Sequence, residues 1–436
     1  MTFHEIQGTL SHLYMKKVLF ITYFWPPSGK GTVHWPLKII KHLPGYGWDP
    51  VVLTADEDTF SQKDESLVKE VDPCLKVFTA HAMEPFRIYR RLLGKEKNAP
   101  LIASETISAT NRGLRHRLSV WIRMNLFIPD ARIGWYWNAI RKGKEILQSE
   151  SIDAIVSIGP PHTTLLVGNT LSRHSGIPHI PVFIDPWVDI SYYQGFKRSN
   201  ATLAIDRRFE RSVVVQAAQV VFVTETMKKD YIRQYPLIRN KSHVLYWGYD
   251  EEEFQSYKPK TARGREILLH AGNIYDHQNP KNLWKTLRTE QENGRNLKLV
   301  FVGTVGPEIR RSLDAAGVLD TTEFKGFLPY NEMIEEISRA SYLLVCASEK
   351  RHVPGKLFEY LRSGKPILAF GDGNEEIQRI LEETNAGMIV PLASDGQEFF
   401  QQLRCFRTDL KSVQRFNRKE ISGELAKLLG GLPARS

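Results

Sequence analysis

Short apolar runs rich in β-branched residues alternate with longer amphipathic stretches from one end of the chain to the other. In the first half we predict strands at Lys17–Thr22, Pro50–Ala55, Leu75–Ala80, Asp153–Gly159, His179–Asp185, Val220–Glu225 and His243–Gly248. The pattern begins again in the second half, with strands predicted at Glu266–Gly272, Leu297–Gly303, Tyr342–Ser348 and Pro366–Gly371. Strands that alternate with amphipathic helices are typical of βαβ units, so the pattern predicts two doubly wound, Rossmann-like α/β sheets.

A polar stretch at 255–265 separates the two series of strands. Its sequence, QSYKPKTARGR, contains Pro and Gly and offers no apolar side chains for a core, so we predict a linker there. We therefore predict an N-terminal domain at 1–255 and a C-terminal domain at 264–405, with a last helix at 413–430 that crosses back to the first. Doubly wound sheets bind ligands beyond the carboxyl ends of their strands, so we expect the domains to face each other across a cleft.

Charge and cysteine usage narrow the classes of function. The net charge of +10 indicates an anionic partner, and because no nucleic-acid recognition module accompanies it, we expect no nucleic acid. Cys74, Cys346 and Cys405 are far apart and lack a C-x-x-C pattern, which predicts neither disulfides nor zinc and favours the cytoplasm. No run of about 18 apolar residues occurs, so we predict no membrane-spanning helix.

The segment at 349–373, EKRHVPGKLFEYLRSGKPILAFGDG, carries the most chemical information. It predicts a loop, a helix, a tight turn and a buried strand. Pro354 can open the helix because proline lacks an amide hydrogen that the first turn does not need, and Gly364 can close it.

The beginning of this helix is a candidate diphosphate site. The backbone amides of Gly355, Lys356 and Leu357, together with the positive end of the helix dipole, would face an anion. Lys356 adds a full charge, and Glu359, one turn further along, can accept hydrogen bonds from two ribose hydroxyls. On spacing alone, a plain amphipathic helix with solvated Lys356 and Glu359 remains an open alternative.

Loops after the predicted strands of the first half offer further candidates. Gly29 and Gly31 allow close approach of the backbone to an acceptor or a phosphate, or they serve only the geometry of the turn. The string SGKGT is not a P-loop, because Phe24 occupies the position of the first glycine and Gly31 follows Lys30. Asp185 could accept from acceptor or sugar hydroxyls, or cap the turn after its strand.

Several motifs occur in an order that resembles a known family. The motif P-G-K-x-x-E-Y-x-x-x-G-K-P is intact from Pro354 to Pro366. The other landmarks are 23–27 (YFWPP) with Gly29 and Gly31, 159–162 (GPPH), 185–187 (DPW), 248–250 (GYD) with Phe254, and 272–274 (GNI). Over roughly residues 16–405 the chain resembles retaining family 4 glycosyltransferases of the GT-B fold, in a branch that assembles surface polysaccharides or lipid-linked glycans.

The resemblance implies a hexosyltransferase-type enzyme that moves a sugar from a nucleotide diphosphate sugar to a glycan or lipid-linked acceptor, with retention. Because Lys356 with the helix amides could stabilise the departing diphosphate, we expect no metal or other cofactor. Lys356 would stabilise the departing phosphate, and His162 would lie near the transferred sugar, although His162 could instead cap the following helix. Gly29, Gly31 and Asp185 would lie on the acceptor side. The implied donor contacts are Gly272, Asn273, Lys281, Glu349, Pro354, Gly355, Lys356, Leu357 and Glu359.

Two positions depart from the family's pattern. Many members carry an E-x7-E pair, but Arg351 stands where the first Glu belongs, with Glu349 two residues earlier. The loop after Gly272 has His277 or Gln278 where the family often places Arg, which leaves Lys281 as the candidate cation. These departures keep open a non-catalytic sugar-nucleotide or polysaccharide-binding protein. A sugar-nucleotide epimerase of the same fold is the other alternative.

The segment at 111–144 is strongly basic and contains Trp121, Trp135, Tyr136 and Trp137. Arginines interleaved with aromatic residues suit a membrane interface, where the rings lie at headgroup level and the cations meet anionic lipids. A solvated pair of helices with aromatic residues in the core is the alternative. We predict a cytoplasmic protein with a peripheral contact to an anionic membrane surface at its inner face.

Overall fold

The computed structural model describes residues 15–83, 114–190, 197–255, 257–260, 264–347 and 349–433, and in the helix Leu114–Leu126 it describes side chains from residue 120 onward. The chain forms two compact units, Met1–Leu245 with Ser422–Ser436, and Tyr246–Ile421. The division after Leu245 precedes the predicted linker. Tyr246 and Trp247 explain this position, because both pack against the hydrophobic core of the second unit.

A seven-stranded parallel sheet forms the centre of the first unit, in the order β3-β2-β1-β4-β5-β6-β7. The strands are β1 Lys16–Ile21, β2 Trp48–Ala55, β3 Lys76–Ala80, β4 Ile152–Gly159, β5 His179–Phe183, β6 Val220–Phe222 and β7 Ser242–Val244. The helices of this unit are α1 His34–His42, α2 Leu114–Leu126, α3 Tyr136–Ser149, α4 Thr163–Ser175, α5 Asn200–Gln216 and α6 Glu225–Gln234. All seven predicted strands of the first half are present, and β6 is shorter than predicted because Thr224 caps α6.

A six-stranded parallel sheet forms the centre of the second unit, in the order β10-β9-β8-β11-β12-β13. Its strands are β8 Glu266–Ala271, β9 Leu297–Val302, β10 Thr322–Phe324, β11 Tyr342–Cys346, β12 Ile367–Phe370 and β13 Gly387–Val390. The helices that follow are α7 Lys281–Glu292, α8 Pro307–Ala315, α9 Tyr330–Arg339, α10 Lys356–Ser363, α11 Glu375–Thr384, α12 Gln397–Gln402 and α13 Leu410–Val413. The last helix, α14 Arg418–Gly430, begins in the second unit, and from Ser422 onward it belongs to the first. The prediction missed β10 and β13, and the single helix predicted at 413–430 is interrupted by a turn between α13 and α14.

Alternating side chains of the second sheet fill two hydrophobic cores, one on each face. Leu269 and Ala271 of β8 belong to one core, whereas Leu268 belongs to the other. The same alternation continues on the neighbouring strands. Because each fully buried aliphatic side chain stabilises the fold by roughly 1.5–3 kcal/mol, these two cores hold the carboxyl ends of the strands in fixed positions.

Each sheet has one point at which the winding of the chain reverses. In the first unit this point lies between β1 and β4, and in the second between β8 and β11. Parallel sheets of this kind bind ligands at the carboxyl ends of the strands beside such a switch point. In the second unit, the loops after β8 and β11 therefore form the expected ligand site.

Candidate functional site

Two predicted motifs meet at the switch point of the second unit. Gly272 and Asn273 follow β8, and Lys356 begins α10, which follows β11. A Cβ atom added to Gly272 would lie 2.9 Å from Nζ of Lys356 and 3.1 Å from its Cε. The lysine therefore packs directly against the glycine, and the structure brings these three predicted residues together.

The loop after β8 is locked to the loop after β9. Gly272 and Gly303 both adopt positive φ angles, +106° and +105°, which favour glycine. A Cβ at Gly303 would lie 2.7 Å from the carbonyl carbon of Gly272, so the two backbones touch. The Asn273 side-chain oxygen accepts a hydrogen bond from the Thr304 amide at 2.9 Å. These contacts fix the direction in which the Gly-Asn turn presents its backbone.

Lys356 is half-buried and its ammonium group contacts a histidine. Its Nζ lies 2.9 Å from Nε2 of His270, a buried residue of β8. Burial lowers the pKa of Lys356 to about 8, against the smaller opposing effects of Cys346 and Glu359. Burial, reinforced by the charge of Lys356, also holds the pKa of His270 well below its ordinary value, so the imidazole is neutral.

The beginning of α10 differs from the prediction in two respects. The helix starts at Lys356 with Gly355 as its N-cap, so Pro354 lies before the first turn. The Leu357 amide donates to the Pro354 carbonyl at 3.0 Å, so it is not free for an anion. A tight first turn satisfies this amide internally, which leaves Gly355 and Lys356 as the candidate amide donors.

Trp247 explains why glycine precedes the helix. A Cβ at Gly355 would lie 2.8 Å from Nε1 of Trp247 and 3.0 Å from its Cδ1. The indole thus lies directly against the N-cap position. Arg418 donates from Nε to the Trp247 carbonyl at 3.3 Å, and this hydrogen bond joins the segment after β7 to the last residues of the second unit.

Glu359 is a buried carboxylate with one occupied and one unoccupied oxygen. Its Oε1 accepts a hydrogen bond from the Tyr330 hydroxyl at 3.1 Å. Its Oε2 is buried and has no hydrogen-bond partner among the described residues. Burial raises the pKa of Glu359, although the nearby charges of Arg418 and Lys356 oppose the rise. An orphaned acceptor of this kind is costly, so a donor from a ligand would stabilise it.

The remaining candidates of the second unit lie in exposed positions. Glu349 and Arg351 are both exposed, in a loop that Asn374 holds by donating from Nδ2 to the carbonyls of Glu349 and His352 at 2.8 and 2.9 Å. Lys281 is exposed at the first residue of α7, and its charge lowers the pKa of Glu308 in part. The role of Lys281 as a diphosphate contact stays a prediction.

The loop position at which the family often has Arg serves the fold here. Gln278 accepts from the Tyr275 amide at 3.0 Å and donates to the Cys346 carbonyl at 2.9 Å. His277 is exposed and stacks on the ring of Tyr275, with ring centroids 5.9 Å apart. Gln278 therefore serves the fold, and no Arg stands at this position.

Sequence reasoning overlooked His270, Trp247 and Tyr330. One of them carried a signal, because His270 is a polar residue inside the apolar run EILLHAG, where a strand buried on both faces has no place for an unpaired imidazole. No sequence pattern marks Trp247 or Tyr330 as a residue of the site. They lie 109 and 26 residues before the first residue of α10, and only the fold brings them to it.

In the first unit, His162 lies after β4, beside the switch point of that sheet. It occupies the N-cap position of α4, but its side chain makes no capping hydrogen bond. Asp130 caps the helix instead, accepting from the Thr163 amide and hydroxyl at 2.9 Å each. The helix-cap interpretation of the His162 side chain was therefore wrong, since another residue already satisfies the first turn.

The imidazole of His162 is buried and neutral. It stacks on the Trp187 ring, with centroids 5.0 Å apart and planes 16° apart, and its Nε2 lies 3.5 Å from the Asp185 carbonyl. Burial lowers the pKa of His162 to about 3. Such a group can donate or accept a hydrogen bond at neutral pH, but it carries no charge there.

Buried carboxylates on α5 support the loop of Asp185 and Trp187. The Trp187 indole donates to Asp206 at 2.6 Å, and Arg198 pairs with the same carboxylate. One turn on, Glu210 accepts from the hydroxyls of Tyr231 and Tyr235 at 2.7 Å each. This network fixes the Trp187 ring and hence the imidazole stacked on it. Asp185 itself is half-buried.

Gly29 and Gly31 follow β1 at the same edge of the sheet. A Cβ at Gly29 would make only ordinary contacts with Asp64 and the backbone of Lys63, and a Cβ at Gly31 would meet nothing within 4 Å. Neither adopts a positive φ angle. Their glycine identity therefore has no cause within the described fold, and the space beside Gly31 is open.

Comparison with known families agrees with this architecture. The model of glycosyltransferase family 4 matches residues 31–253, which is more than half of the chain. The chain belongs to glycosyltransferase family 4. A second model, glycosyl transferases group 1, matches residues 251–420 of this glycosyltransferase, including every candidate of the second unit. No curated protein matches the sequence.

Solved structures share the fold of this glycosyltransferase at low sequence identity. Sucrose-phosphate synthase from Thermosynechococcus elongatus has a TM-score of 0.61 at 14% identity, covering 95% of this chain and 98% of its own. HepE from Anabaena, in complex with UDP and glucose, has a TM-score of 0.61 at 14% identity, covering 96% and 100%. A glycosyltransferase from Rickettsia africae has a TM-score of 0.59 at 12% identity, covering 96% and 99%. The two Rossmann-like sheets are thus those of a GT-B glycosyltransferase.

In the basic segment at 111–144 of this glycosyltransferase, some aromatic side chains lie in the core and others on the surface. Trp135 is buried and donates to the Ala80 carbonyl at 3.0 Å, and the Tyr136 hydroxyl bonds that of Thr170 at 2.8 Å. Trp137 is 71% exposed and Trp121 is also exposed. Residues 111–113 of the segment lie outside the described residues. No described helix is both long and apolar enough to cross a membrane.

A groove of about 840 Å³ opens beside Trp137, on the helical layer of the first unit. Its floor is apolar, formed in part by Ile133, Leu166 and Val215. Arg173, Arg208 and Arg211 also line it. These arginines are exposed and make no ion pair within the described part of the chain. The groove therefore combines an apolar floor with three available positive charges.

Proposed function

We propose that this glycosyltransferase transfers a hexose from a nucleotide diphosphate sugar to a glycan or lipid-linked acceptor, with retention and without a metal ion. The observation that carries the proposal is the arrangement at α10. A half-buried ammonium, that of Lys356, lies at the beginning of the helix beside Gly272, and the orphaned acceptor Oε2 of Glu359 lies one turn further on. A diphosphate and the ribose attached to it would satisfy both groups.

Lys356 would act on the departing phosphate. When the anomeric carbon develops oxocarbenium character, negative charge grows on the β-phosphate that leaves. A positive charge fixed beforehand by the fold stabilises that charge without reorganisation, and the amides at the beginning of α10 add partial positive charge. This electrostatic role needs no metal, which is why we propose metal independence and test it with a chelator.

Glu359 would increase the affinity for the donor nucleotide. Its unoccupied oxygen can accept from a ribose hydroxyl in the ground state and in the transition state alike, so it contributes affinity more than rate. Tyr330 holds the other oxygen and so fixes the plane of the carboxylate. The Gly-Asn turn at 272–273 would approach the phosphates with its backbone.

His162 would contact the transferred sugar or its phosphate. Because its pKa is about 3, the imidazole acts as a neutral hydrogen-bonding group and not as a cationic acid. Its stacking on Trp187 fixes the ring plane, which suits a group that orients a substrate. We propose Asp185, Gly29 and Gly31 as acceptor-side residues that share this edge of the first sheet.

The acceptor would carry a lipid or sit at a membrane surface. The exposed rings of Trp121 and Trp137, and the arginines of the adjacent groove, support contact with anionic lipid. A cytoplasmic location with peripheral attachment to the membrane follows from this proposal and stays a prediction.

A hydrolysis screen tests the proposed function. The purified protein is incubated with UDP-, GDP- and dTDP-sugars, with and without EDTA, and the free nucleoside diphosphate is measured. The UDP and glucose bound to HepE make UDP-sugars the first donors to try. We expect one nucleoside diphosphate to appear, undiminished by EDTA, and anomeric analysis of the released or transferred sugar to show retention.

Other outcomes would point to the alternatives. An isomerised sugar still attached to its nucleotide would indicate an epimerase, which the match to two glycosyltransferase families disfavours. Saturable binding without any turnover, including with added glycan and lipid acceptors, would indicate a binding protein. The exposed Arg351, in place of the family's Glu, is the feature that makes the second outcome worth testing.

A further inference from the structure

His270 is a polar side chain buried within an otherwise apolar strand. Its Nδ1 lies 3.0 Å from the carbonyl oxygen of Leu344, on the adjacent strand β11. A carbonyl oxygen can only accept, so Nδ1 carries the hydrogen and Nε2 of the neutral ring presents a lone pair. The tautomer is therefore fixed by the backbone of the neighbouring strand.

The lone pair of His270 faces the ammonium group of Lys356. Nε2 and Nζ are 2.9 Å apart, and an ammonium group can only donate, so the imidazole accepts. No described carboxylate forms an ion pair with Lys356. On its other side the lysine packs against Gly272, where a side chain would clash. The position of the ammonium group is thus defined by one acceptor and one glycine.

We propose that His270 is a positioning residue for Lys356, holding the lysine ammonium beside the Gly272–Asn273 turn where the donor diphosphate binds. The inference rests on the proposed function, because it gives Lys356 a diphosphate to meet. It goes beyond that function by assigning a role to a residue of β8 that touches neither the sugar nor the nucleotide.

The arrangement couples binding of the donor diphosphate to protonation of Lys356. The ionisable groups around Lys356 are His270 on β8, Cys346 on β11, His352 in the preceding loop and Glu359 on α10 itself. Burial places the Lys356 pKa at about 8, so the free protein loses this charge as the pH rises through 8. A bound diphosphate favours the charged form, so binding takes up a proton above pH 8 and weakens as the pH rises.

Calorimetric titration tests the inference. The probe is whichever of UDP, GDP and dTDP binds most tightly, titrated at pH 6, 8 and 9 in buffers of different ionisation enthalpy. His270→Leu removes the acceptor, whereas His270→Gln keeps one donor and one acceptor. His243→Leu, which removes a half-buried histidine of the first unit, is the matched control.

We expect the wild type to take up protons on binding at pH 8 and 9. In His270→Leu the apparent pKa should fall by about one unit, so affinity drops about tenfold at pH 9 and little at pH 6. His270→Gln should restore most of the wild-type profile, and His243→Leu should match it throughout. Should His270→Leu fail to fold, His270→Asn takes its place with the same expectation, because its shorter side chain cannot reach both partners.

Three results would overturn the inference, and they distinguish its failure from failure of the proposed function. If Lys356→Gln binds the nucleotide as tightly as the wild type, the proposed role of Lys356 fails. If Lys356→Gln weakens binding but His270→Leu keeps the wild-type pH profile, only the positioning role fails. A loss of affinity in His270→Leu that is equal at pH 6 and pH 9 would indicate a structural residue and would also overturn it.

Discussion

Lys356 and Glu359 lie one helical turn apart, and burial shifts both away from their charged forms. The pKa of the lysine is lowered to about 8, and that of the glutamate is raised. Two adjacent ionisable side chains whose pKa values are shifted by burial are typical of a ligand-binding site. The spacing of the pair could be read from the sequence, but their burial could not, because the side chains that cover them come from distant elements.

Replacing Lys356 by Met keeps most of its volume and removes its charge. We expect kcat to fall by roughly two to three orders of magnitude, the usual effect of losing one preorganised electrostatic group. Steady-state kinetics with the donor found in the hydrolysis screen measures the change. Lys365→Met is the control, because Lys365 is also buried enough to have its pKa lowered to about 8, yet it donates to the Ala340 carbonyl. Near-normal turnover in folded Lys356→Met would contradict the mechanism.

At the scale of elements, the sequence pattern predicted the long central strands and failed at the edges. The missed strands, β10 and β13, lie at the two edges of the second sheet and are only three and four residues long. Most of their side chains are half-buried, so they form no continuous apolar run. The beginning of α10 was predicted two residues early, because Pro354 is compatible with a first turn that tertiary contacts place later.

Gly355 sets the contact between α10 and Trp247. In Gly355→Ala the new Cβ would approach the indole to 2.8 Å, so the ring or the helix must shift. We expect a loss of roughly 1–3 kcal/mol in the free energy of unfolding of the second unit and weaker nucleotide binding. Chemical denaturation and calorimetry measure the two effects. Adding Trp247→Leu should recover stability, and failure of this rescue would show that the steric argument is wrong.

The first residue of β5, His179, is a buried, neutral histidine. Its Nε2 lies 2.7 Å from the Ser157 hydroxyl, and burial lowers its pKa to about 3. The unfolded chain binds a proton below about pH 6.5 and the folded chain does not, so stability present at neutral pH is lost as the pH falls below 6.5, toward 3.

His179→Gln should reduce this acid sensitivity. Each such histidine costs at most about 1.4 kcal/mol per pH unit in that window, so the variant should lose less melting temperature than the wild type between pH 7 and pH 5. Thermal melts at the two pH values measure the difference. An unchanged loss in the variant would show that His179 does not set the acid sensitivity.

At the scale of the whole molecule, periodicity and motif order predicted the fold class, because a parallel sheet buried on both faces leaves a strong apolar signal. The family followed from the order of short motifs spread over both units. The sequence could not show which residues of a motif lie in the core and which lie on the surface. Trp135 and Trp137 are only two residues apart in the chain, yet Trp135 is buried and Trp137 is exposed.

The net charge of +10 and the arginine groove predict attachment to anionic membranes. Co-sedimentation with vesicles should rise with anionic lipid and fall with salt. Replacing Arg173, Arg208 and Arg211 by Ser should weaken binding roughly a hundredfold, at about 1 kcal/mol per residue near the surface. Replacing Lys69, Lys229 and Arg239 instead removes the same charge elsewhere and should matter less. Equal binding to neutral and anionic vesicles would contradict this attachment.

We propose that the second unit binds the donor through Lys356 and Glu359. Calorimetric titration of the full chain with UDP, GDP and dTDP, in the presence of EDTA, tests it most directly. We predict that one nucleotide binds the wild type, and that Lys356→Met and Glu359→Gln each weaken its binding about tenfold or more at pH 7, since each loses a charge-assisted contact. Undiminished binding in both folded variants would contradict the account.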